Sequence, residues 1–428
     1  MKIFIFRRDL RIEDNTTLNE AIKDNKEIAL VFIFNDAINK EYFANKGQEY
    51  LNKRLGILNK QVPINFYRSK DDIEVLKEIN KSNKIEGVYF NSDITEFANK
   101  RDLRIQEYCK SNNIDVVSYN DYLLFNPKDT VTKSGTSFKT FKSFFESKLK
   151  LLNNIKSNNI KYSNDLFIKL QDNKYSSNLE EGKDYGMKIN RKEVFESIDR
   201  VTAIDYKNLR DYFAFENSKI SAALKFGVVS CREAIEYCYS KKEINLPFVR
   251  QVLWKEFYHQ YYVQNKNEYK IRGEYPTNIL TKYNEWVFND DLKLVQLWKE
   301  GKTGFPIIDA AMHELNTTGY MHNRARMIVA SFFCKNLNLD WRIGEKYFAT
   351  KLIDYDPIVN NQSWQWASFT GLDYQGAYRT FSPSIQLKKF DPDLEYVNKY
   401  NKDNEIKPIV DEKESRKEFM ELIKEYNK

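Results

Sequence analysis

Within its first 125 residues the chain sets five short β-rich runs between stretches of helical spacing: Lys2 to Phe6, Ile28 to Phe34, Ile64 to Tyr67, Gly87 to Phe90 and Val116 to Tyr119. Strands that alternate with helices fold as a parallel α/β sheet, because each crossover helix carries the chain back to start the next strand in the same direction. The helical stretches are Asn15 to Lys23, Gln48 to Asn59, Asp71 to Asn80 and Glu96 to Ser111, with Asp14 or Asn15 the expected N-cap of the first. No G-x-G-x-x-G follows the first strand, which disfavours a dinucleotide with its pyrophosphate on that first helix. Other ligands at the strand ends stay open.

Beyond this α/β region (1–125) the pattern changes. Residues 126–205 are rich in Lys, Asn and Ser and read as an interdomain connector with a helix around Phe138 to Leu152. Residues 206–400 take on a helical period and hold all six tryptophans, Trp254, Trp286, Trp298, Trp341, Trp364 and Trp366, which places the chemistry in this half. Residues 401–428 form a charged Lys/Glu-rich tail, expected as a solvated helix. A length of 428 residues suits two to three domains, and 29 Phe with 28 Tyr exclude a low-hydrophobicity disordered chain. The net charge of +7 permits a polyanionic partner without demanding one.

No window approaches the roughly 20 apolar residues of a membrane span, and the N-terminus MKIFIFRRDLR lacks a signal-peptide apolar stretch, so an intracellular, soluble protein is expected. Cys109, Cys231, Cys238 and Cys334 form no C-x-x-C, and His259, His313 and His322 have no metal spacing, so neither a zinc site nor a disulfide framework is expected.

Some strings tempt a functional reading. Glu300-Gly301-Lys302-Thr303 resembles a phosphate loop, but position 296 is Gln where the motif needs Gly; it reads as a turn between helices. Residues 321–351 carry six basic side chains (Arg324, Arg326, Lys335, Arg342, Lys346, Lys351) against Asp340 and Glu345, a balance that suits phosphates or a solvated face. Asn323 and Met327, four apart, share a helix face. Asp354 and Asp356 precede Asn360, Asn361 and Trp364-Gln365-Trp366, and the two acids suit ion pairing or hydroxyl recognition better than a hard cation. Trp364 and Trp366 lie about 200° apart on a helix, so core plus surface competes with a stacking platform for a base.

At these residues the chain resembles the cryptochrome/photolyase family. The resemblance runs from Phe4-Ile5-Phe6-Arg7-Arg8-Asp9-Leu10-Arg11 to Lys389-Phe390-Asp391 and is densest in Gly301 to Met312, Thr318 to Met327, Leu352 to Asp356 and Asn360 to Trp366. It implies an N-terminal α/β antenna domain and an all-helical domain that holds FAD. Matched residue by residue, Tyr206 and Asn217-Ser218-Lys219-Ile220-Ser221 wrap the FAD phosphates, where hydroxyls and Lys219 favour an anion. Asp354, Tyr355 and Asp356 fall beside the ribityl chain and flavin ring, Arg326 pairs with Asp354, and Asn360 meets the ring's central nitrogen. Trp254 and Trp366 flank a flipped-out pyrimidine dimer, Asn323 and Met327 touch it, and Arg210, Arg324, Arg379 and Gln386 meet the DNA backbone. Trp364 and Trp341 relay electrons to the flavin.

The implied activity is light-driven repair of cyclobutane pyrimidine dimers in UV-damaged DNA by electron transfer from excited reduced FAD, in a monomer of the cytoplasm or nucleus. A second antenna chromophore of unspecified identity is allowed. Three departures bear on this. Gln251 stands where most cyclobutane-dimer photolyases carry Glu and the (6-4) branch carries Gln; that branch has histidines where this chain has Asn323 and Met327, which favours the cyclobutane dimer. The outermost relay tryptophan aligns with Phe288, leaving Trp286 as the substitute and a slower photoreduction as the expectation. The phosphate segment is one residue short and begins with Asn217 instead of Thr. A photosensor that binds FAD without repairing DNA, and a (6-4) photolyase, are the alternatives.

Overall fold

The computed structural model describes residues 1–428 except 25, 39, 242–245, 267–270, 273, 274, 277–281, 284, 374, 375 and 402–405. The start of the charged tail therefore lies outside the described residues. Five parallel strands, β1 (Lys2–Phe6), β2 (Ile28–Asn35), β3 (Ile64–Ser69), β4 (Gly87–Ser92) and β5 (Asp115–Asn120), form one sheet in the order β3-β2-β1-β4-β5. All five expected strands are present. Phe4 pairs with Leu30 on one side and Tyr89 on the other, so β1 is central and the sheet's topological switch lies between β1 and β4.

The central strands are nearly continuous apolar runs because helices cover both faces. Phe4, Phe6, Leu30 and Phe32 pack under α1 (Thr16–Ile22) and α2 (Asn45–Asn59). Ile3, Ile5, Val31, Val88 and Phe90 pack under α3 (Asp72–Ser82) and α4 (Glu96–Ser111). Asn15 caps α1, its side chain accepting from the Leu18 amide.

After β5 come α5 (Phe141–Lys148), α6 (Arg191–Thr202), α7 (Tyr206–Leu209), α8 (Ser221–Lys225), α9 (Cys231–Tyr239) and α10 (Leu246–Gln264). The two-residue strands β6 (Ile271–Arg272) and β7 (Tyr275–Pro276) pair antiparallel. Then follow α11 (Leu292–Glu300), α12 (Pro306–Thr318), α13 (Asn323–Ser331), α14 (Trp341–Lys351), α15 (Pro357–Ala367), α16 (Pro383–Phe390), α17 (Glu395–Tyr400) and α18 (Glu412–Tyr426). Gly301 ends α11 in the left-handed region, at φ 67°, so the Glu300–Thr303 string is the interhelical turn expected. Among the described residues no helix is long and apolar enough to cross a membrane.

Three features depart from the sequence reading. Residues 126–205 are less of a bare connector than expected: α5 and α6 bury Phe141, Phe144, Val194 and Ile198 in the same core as α10. The tail helix α18 is docked as well as solvated, with Phe419 and Ile423 buried against Tyr283, Trp286 and Phe369. Continuing from α13, a π-helical turn at Phe332–Asn336 is wholly buried.

Candidate functional site

The helical half encloses a cavity of about 470 Å³ whose wall includes Tyr206, Arg210, Asn217–Ser221, Gln251, Trp254, Asn323, Arg326, Met327, Asp354–Asp356, Asn360, Trp364 and Trp366. These positions run from Tyr206 to Trp366 in the sequence, and the fold brings them into one space. Arg324, Arg379 and Gln386 are not among them. They line a second cavity of about 630 Å³, which among the described residues shares only Asp211 with the first. Trp341 lines neither: it is buried in the helical core, and its indole N–H has no acceptor among the described residues.

At one end of the first cavity Asp354 accepts from Arg326 Nη2 at 2.9 Å and from the Ser221 hydroxyl at 2.6 Å, the pairing expected for Arg326. Burial opposes the Asp354 charge, and Arg326 with Ser221 outweighs it, holding the carboxyl below its usual range. Lys219, beside it, takes a left-handed backbone at φ 51° with its ammonium over the Tyr320 ring. Asn217 lies 2.6 Å from His322 Nε2. His322 caps α13 by accepting the Arg324 amide on Nδ1, and burial pushes its pKa down to about 4, so the cap is neutral at physiological pH.

Asp356 is held from both halves of the molecule. It caps α15, accepting from the Ile358 and Val359 amides at 3.0 Å, and His259 Nε2 donates to it at 3.1 Å. The Tyr122 hydroxyl also donates to it, and Arg8 Nη1 reaches it at 3.3 Å while the same guanidinium clamps Asp93 at the end of β4. Burial opposes this charge too, and His259, Arg8 and Tyr122 together hold the carboxyl well below its usual range. The sheet's switch point is thus filled by Arg8, which braces the helix carrying Asn360, Trp364 and Trp366.

Asn360 gives its amide hydrogens to Glu345, at 3.1 Å to the carboxyl and 3.3 Å to the backbone carbonyl, leaving its own carbonyl as the polar end for the cavity. Glu345, which also accepts from the Tyr355 hydroxyl, is pushed by burial up to about 7. At the other end, Trp254 stacks on Phe141 at 3.9 Å with planes 10° apart, so α5 fixes the plane of that indole. Trp366 donates to the Asp373 carbonyl at 2.8 Å, and Asn323 meets Met327 sulfur at 3.9 Å on the shared face of α13. Gln251 donates back to Pro247 of its own helix at 3.4 Å.

The two tryptophans of α15 part as the helical angle requires, Trp364 buried and Trp366 half-buried, yet both reach the cavity wall. Trp364 lies on Phe348, Phe333 and Trp298 and against Gly344, where an added Cβ would stand 2.3 Å from the indole. Phe288 is partly buried against both the main helical core and the cluster holding Trp286. In the second cavity Arg324 pairs with Asp211 and lies 4.7 Å from the Phe390 ring centre.

Sequence reading missed several groups. Lys225 lines the first cavity, donates to the Ile353 carbonyl at 2.9 Å and is lowered by burial to about 8; its place one turn after Ser221 was the available signal. Phe141, Arg8 and Tyr122 act through contacts far apart in sequence, which no local spacing betrays, and Glu345 meets Tyr355 and Asn360 across the turn from α14 to α15. Among the described residues no cluster of three or more His, Cys, Asp or Glu side chains forms a metal site.

Residues 2–159 match the family described as DNA photolyase, and residues 248–406 match the FAD binding domain of DNA photolyase. The deoxyribodipyrimidine photo-lyase of Vibrio cholerae is 31% identical over 94% of this chain and 90% of its own length. An archaeal photolyase from Sulfolobus tokodaii, solved with two FAD molecules, superposes with a TM-score of 0.77 at 31% identity over 99% of both chains. A class III photolyase from Agrobacterium tumefaciens shares the fold, with a TM-score of 0.84 at 23% identity over 99% of this chain and 97% of its own. The chain belongs to the cryptochrome/photolyase family.

Proposed function

We propose that the chain is a light-driven DNA-repair lyase acting on cyclobutane pyrimidine dimers, as the names of its relatives suggest. The observation that carries the reading is that a single cavity joins a flavin-type cradle to Trp254, Trp366, Asn323 and Met327, a set with no use in holding the cofactor alone.

The residues present fit FAD. Lys219 and Ser218 offer a cation and a hydroxyl donor to the phosphates, Lys225 adds a second cation that among the described residues donates to a backbone carbonyl alone, and Asp354 stands fixed by Arg326 and Ser221 for ribityl hydroxyls. When bound and reduced, FAD supplies on blue-light excitation the electron that opens the dimer's two carbon–carbon bonds, and takes it back afterwards. The chain's own residues orient and exclude. Asn360 presents a carbonyl to the ring, Asp356 keeps α15 in register, and Trp254 and Trp366 sandwich the extruded bases and keep water out. Asn323 donates hydrogen bonds to the damaged pair, and Gln251 turns its amide to it on binding. Trp364 and Trp341 form the electron path through the core, with Trp286 as its outer end. Arg210, Arg324, Arg379 and Gln386 hold the DNA backbone, and one chain carries the whole site, so a monomer suffices.

Chemically reduced protein, illuminated with single-stranded oligonucleotides carrying either a cyclobutane dimer or a (6-4) lesion, tests the reading. Loss of the cyclobutane dimer alone is the expected result; unchanged lesions leave a photosensor, and loss of the (6-4) lesion makes Gln251 the deciding residue. The Sulfolobus tokodaii relative holds two FAD molecules, and we extend to this chain a second chromophore, which an absorption spectrum of native protein detects.

A further inference from the structure

Lys335 is a cation enclosed in protein. It sits in the π-helical turn after α13, is 4% exposed, and forms no ion pair with a carboxylate of the described residues. Its ammonium donates to the Arg379 carbonyl at 2.6 Å and to the Ala377 carbonyl at 3.4 Å, with the Phe369 ring centre at 5.7 Å. Two residues beyond Arg379, the Phe381 amide donates to buried Ser331 at 3.3 Å. The π turn and the end of α13 thus pin the segment 377–381, which carries Arg379, Thr380 and Phe381 into the wall of the second cavity. A buried charge without a counter-ion is costly; two carbonyl dipoles offset part of that cost here, and an anion brought by a ligand would offset the rest.

We propose that Lys335 is a positioning residue for DNA: it holds the Arg379 segment at the rim of the second cavity, and its charge is balanced by the phosphates of the bound strand. This rests on the repair reading and goes beyond it, since Lys335 itself lines neither cavity. The charged and titratable groups acting on Lys335 are the Cys334 thiol of its own turn, pushed up by burial and so neutral, and the Arg379 guanidinium, which disfavours a second cation. From α18 the facing contact is neutral, the Ser415 hydroxyl with Asn336 at 3.1 Å. Burial, the largest cause, and Arg379 lower the Lys335 pKa to about 8 in the free protein. Phosphates nearby favour the protonated form, so binding takes up a proton and weakens as pH rises past 8.

The test uses FAD-loaded protein and a dimer-containing single-stranded oligonucleotide. Wild-type affinity is expected to fall about tenfold between pH 7 and pH 9, and calorimetry at pH 8 in two buffers of different ionisation enthalpy should find uptake of about half a proton. Lys335→Met, checked for flavin content, should bind several-fold more weakly at pH 7 and lose that pH dependence. Lys225, the other buried lysine near 8, faces the flavin cavity and is untouched by this change, so the difference between the two profiles isolates Lys335. A wild-type profile flat across this range with no proton uptake, or a variant that keeps the wild-type slope, overturns the inference. Wild-type protein that binds no damaged DNA even at pH 7 overturns the repair reading and this inference with it.

Discussion

The two cavities treat charge in opposite ways. In the first, the buried carboxylates are answered from within the chain: Asp354 by Arg326, Asp356 by His259, Arg8 and Tyr122. In the second, Lys207, Arg324, Arg379 and Lys389 line the wall with Asp211 as the only carboxylate among the lining residues, and Lys335 lies behind it. A site that keeps its ligand through every turnover gains from a rigid, self-satisfied lining; one that takes and releases a polyanion gains from a cationic excess that counterions cover between encounters. On the proposed reading, the contrast is between the Asp354–Asp356 end of the first cavity, which seats the cofactor, and the rim of the second, which meets the DNA backbone.

The sharpest way to break it is at Asp356. Asp356→Asn removes the charge that His259, Tyr122 and Arg8 converge on; Arg8 keeps Asp93, while buried His259 and Tyr122 lose their carboxylate, a loss of about 3 kcal/mol. Thermal unfolding should fall markedly and the flavin absorbance per chain should drop. Because the carboxyl is held below its unfolded value, its stabilisation is complete above about pH 4 and is lost as pH falls through the depressed folded value; the variant should be insensitive there. A variant with wild-type stability and flavin content would deny the first cavity its internal balance.

Trp366→Ala comes next. Removing one wall of the proposed base sandwich should cost about tenfold or more in affinity for a dimer-containing oligonucleotide, from a stacking contribution of ~1–3 kcal/mol. Flavin content should hold, since the indole's own hydrogen bond goes to Asp373 and away from the Asp354 end of the cavity. Loss of FAD with retained dimer binding would reverse the two roles. A smaller effect is expected from Arg379→Met: a few-fold weaker binding of damaged and undamaged strands alike, with the slope of log affinity against log salt reduced by about 1. An unchanged slope would place the DNA elsewhere.

How much of this was legible from the chain differs between the two halves. The parallel sheet was open to reading because each strand and cap is local, Asn15 binding an amide three residues on. The pairing of Arg326 with Asp354 and the shared face of Asn323 and Met327 were reached by spacing or resemblance. What stayed hidden depends on distant chain: Phe141 behind Trp254, Arg8 reaching Asp356 across 348 positions, and Lys335 beneath Arg379. The tail shows the same limit, for the Lys/Glu pattern of α18 read as solvated while Phe419 and Ile423 waited for an aromatic cluster formed by other segments. Periodicity reports which face of an element is apolar; it is silent on what that face meets.

Glu345 is the exception that sharpens the comparison, a carboxyl behind the first cavity with no cation beside it. Burial raises its pKa to about 7, opposed only by the Asn360 amide and Tyr355 hydroxyl, so it is balanced by carrying a proton. The folded state then binds more protons than the unfolded one between about pH 4 and 7, and Glu345 subtracts from stability as pH rises through that window. Glu345→Gln keeps an acceptor for Asn360 and Tyr355 without the charge. It should match wild type at pH 5 and exceed it at pH 8 by about 3 kcal/mol, since each unit of raised pKa is worth about 1.4 kcal/mol, a shift of only a few degrees for a chain of this size. Equal melting temperatures at both pH values would mean that Glu345 is ionised with a compensating cation after all, and the first cavity would hold no neutral acid.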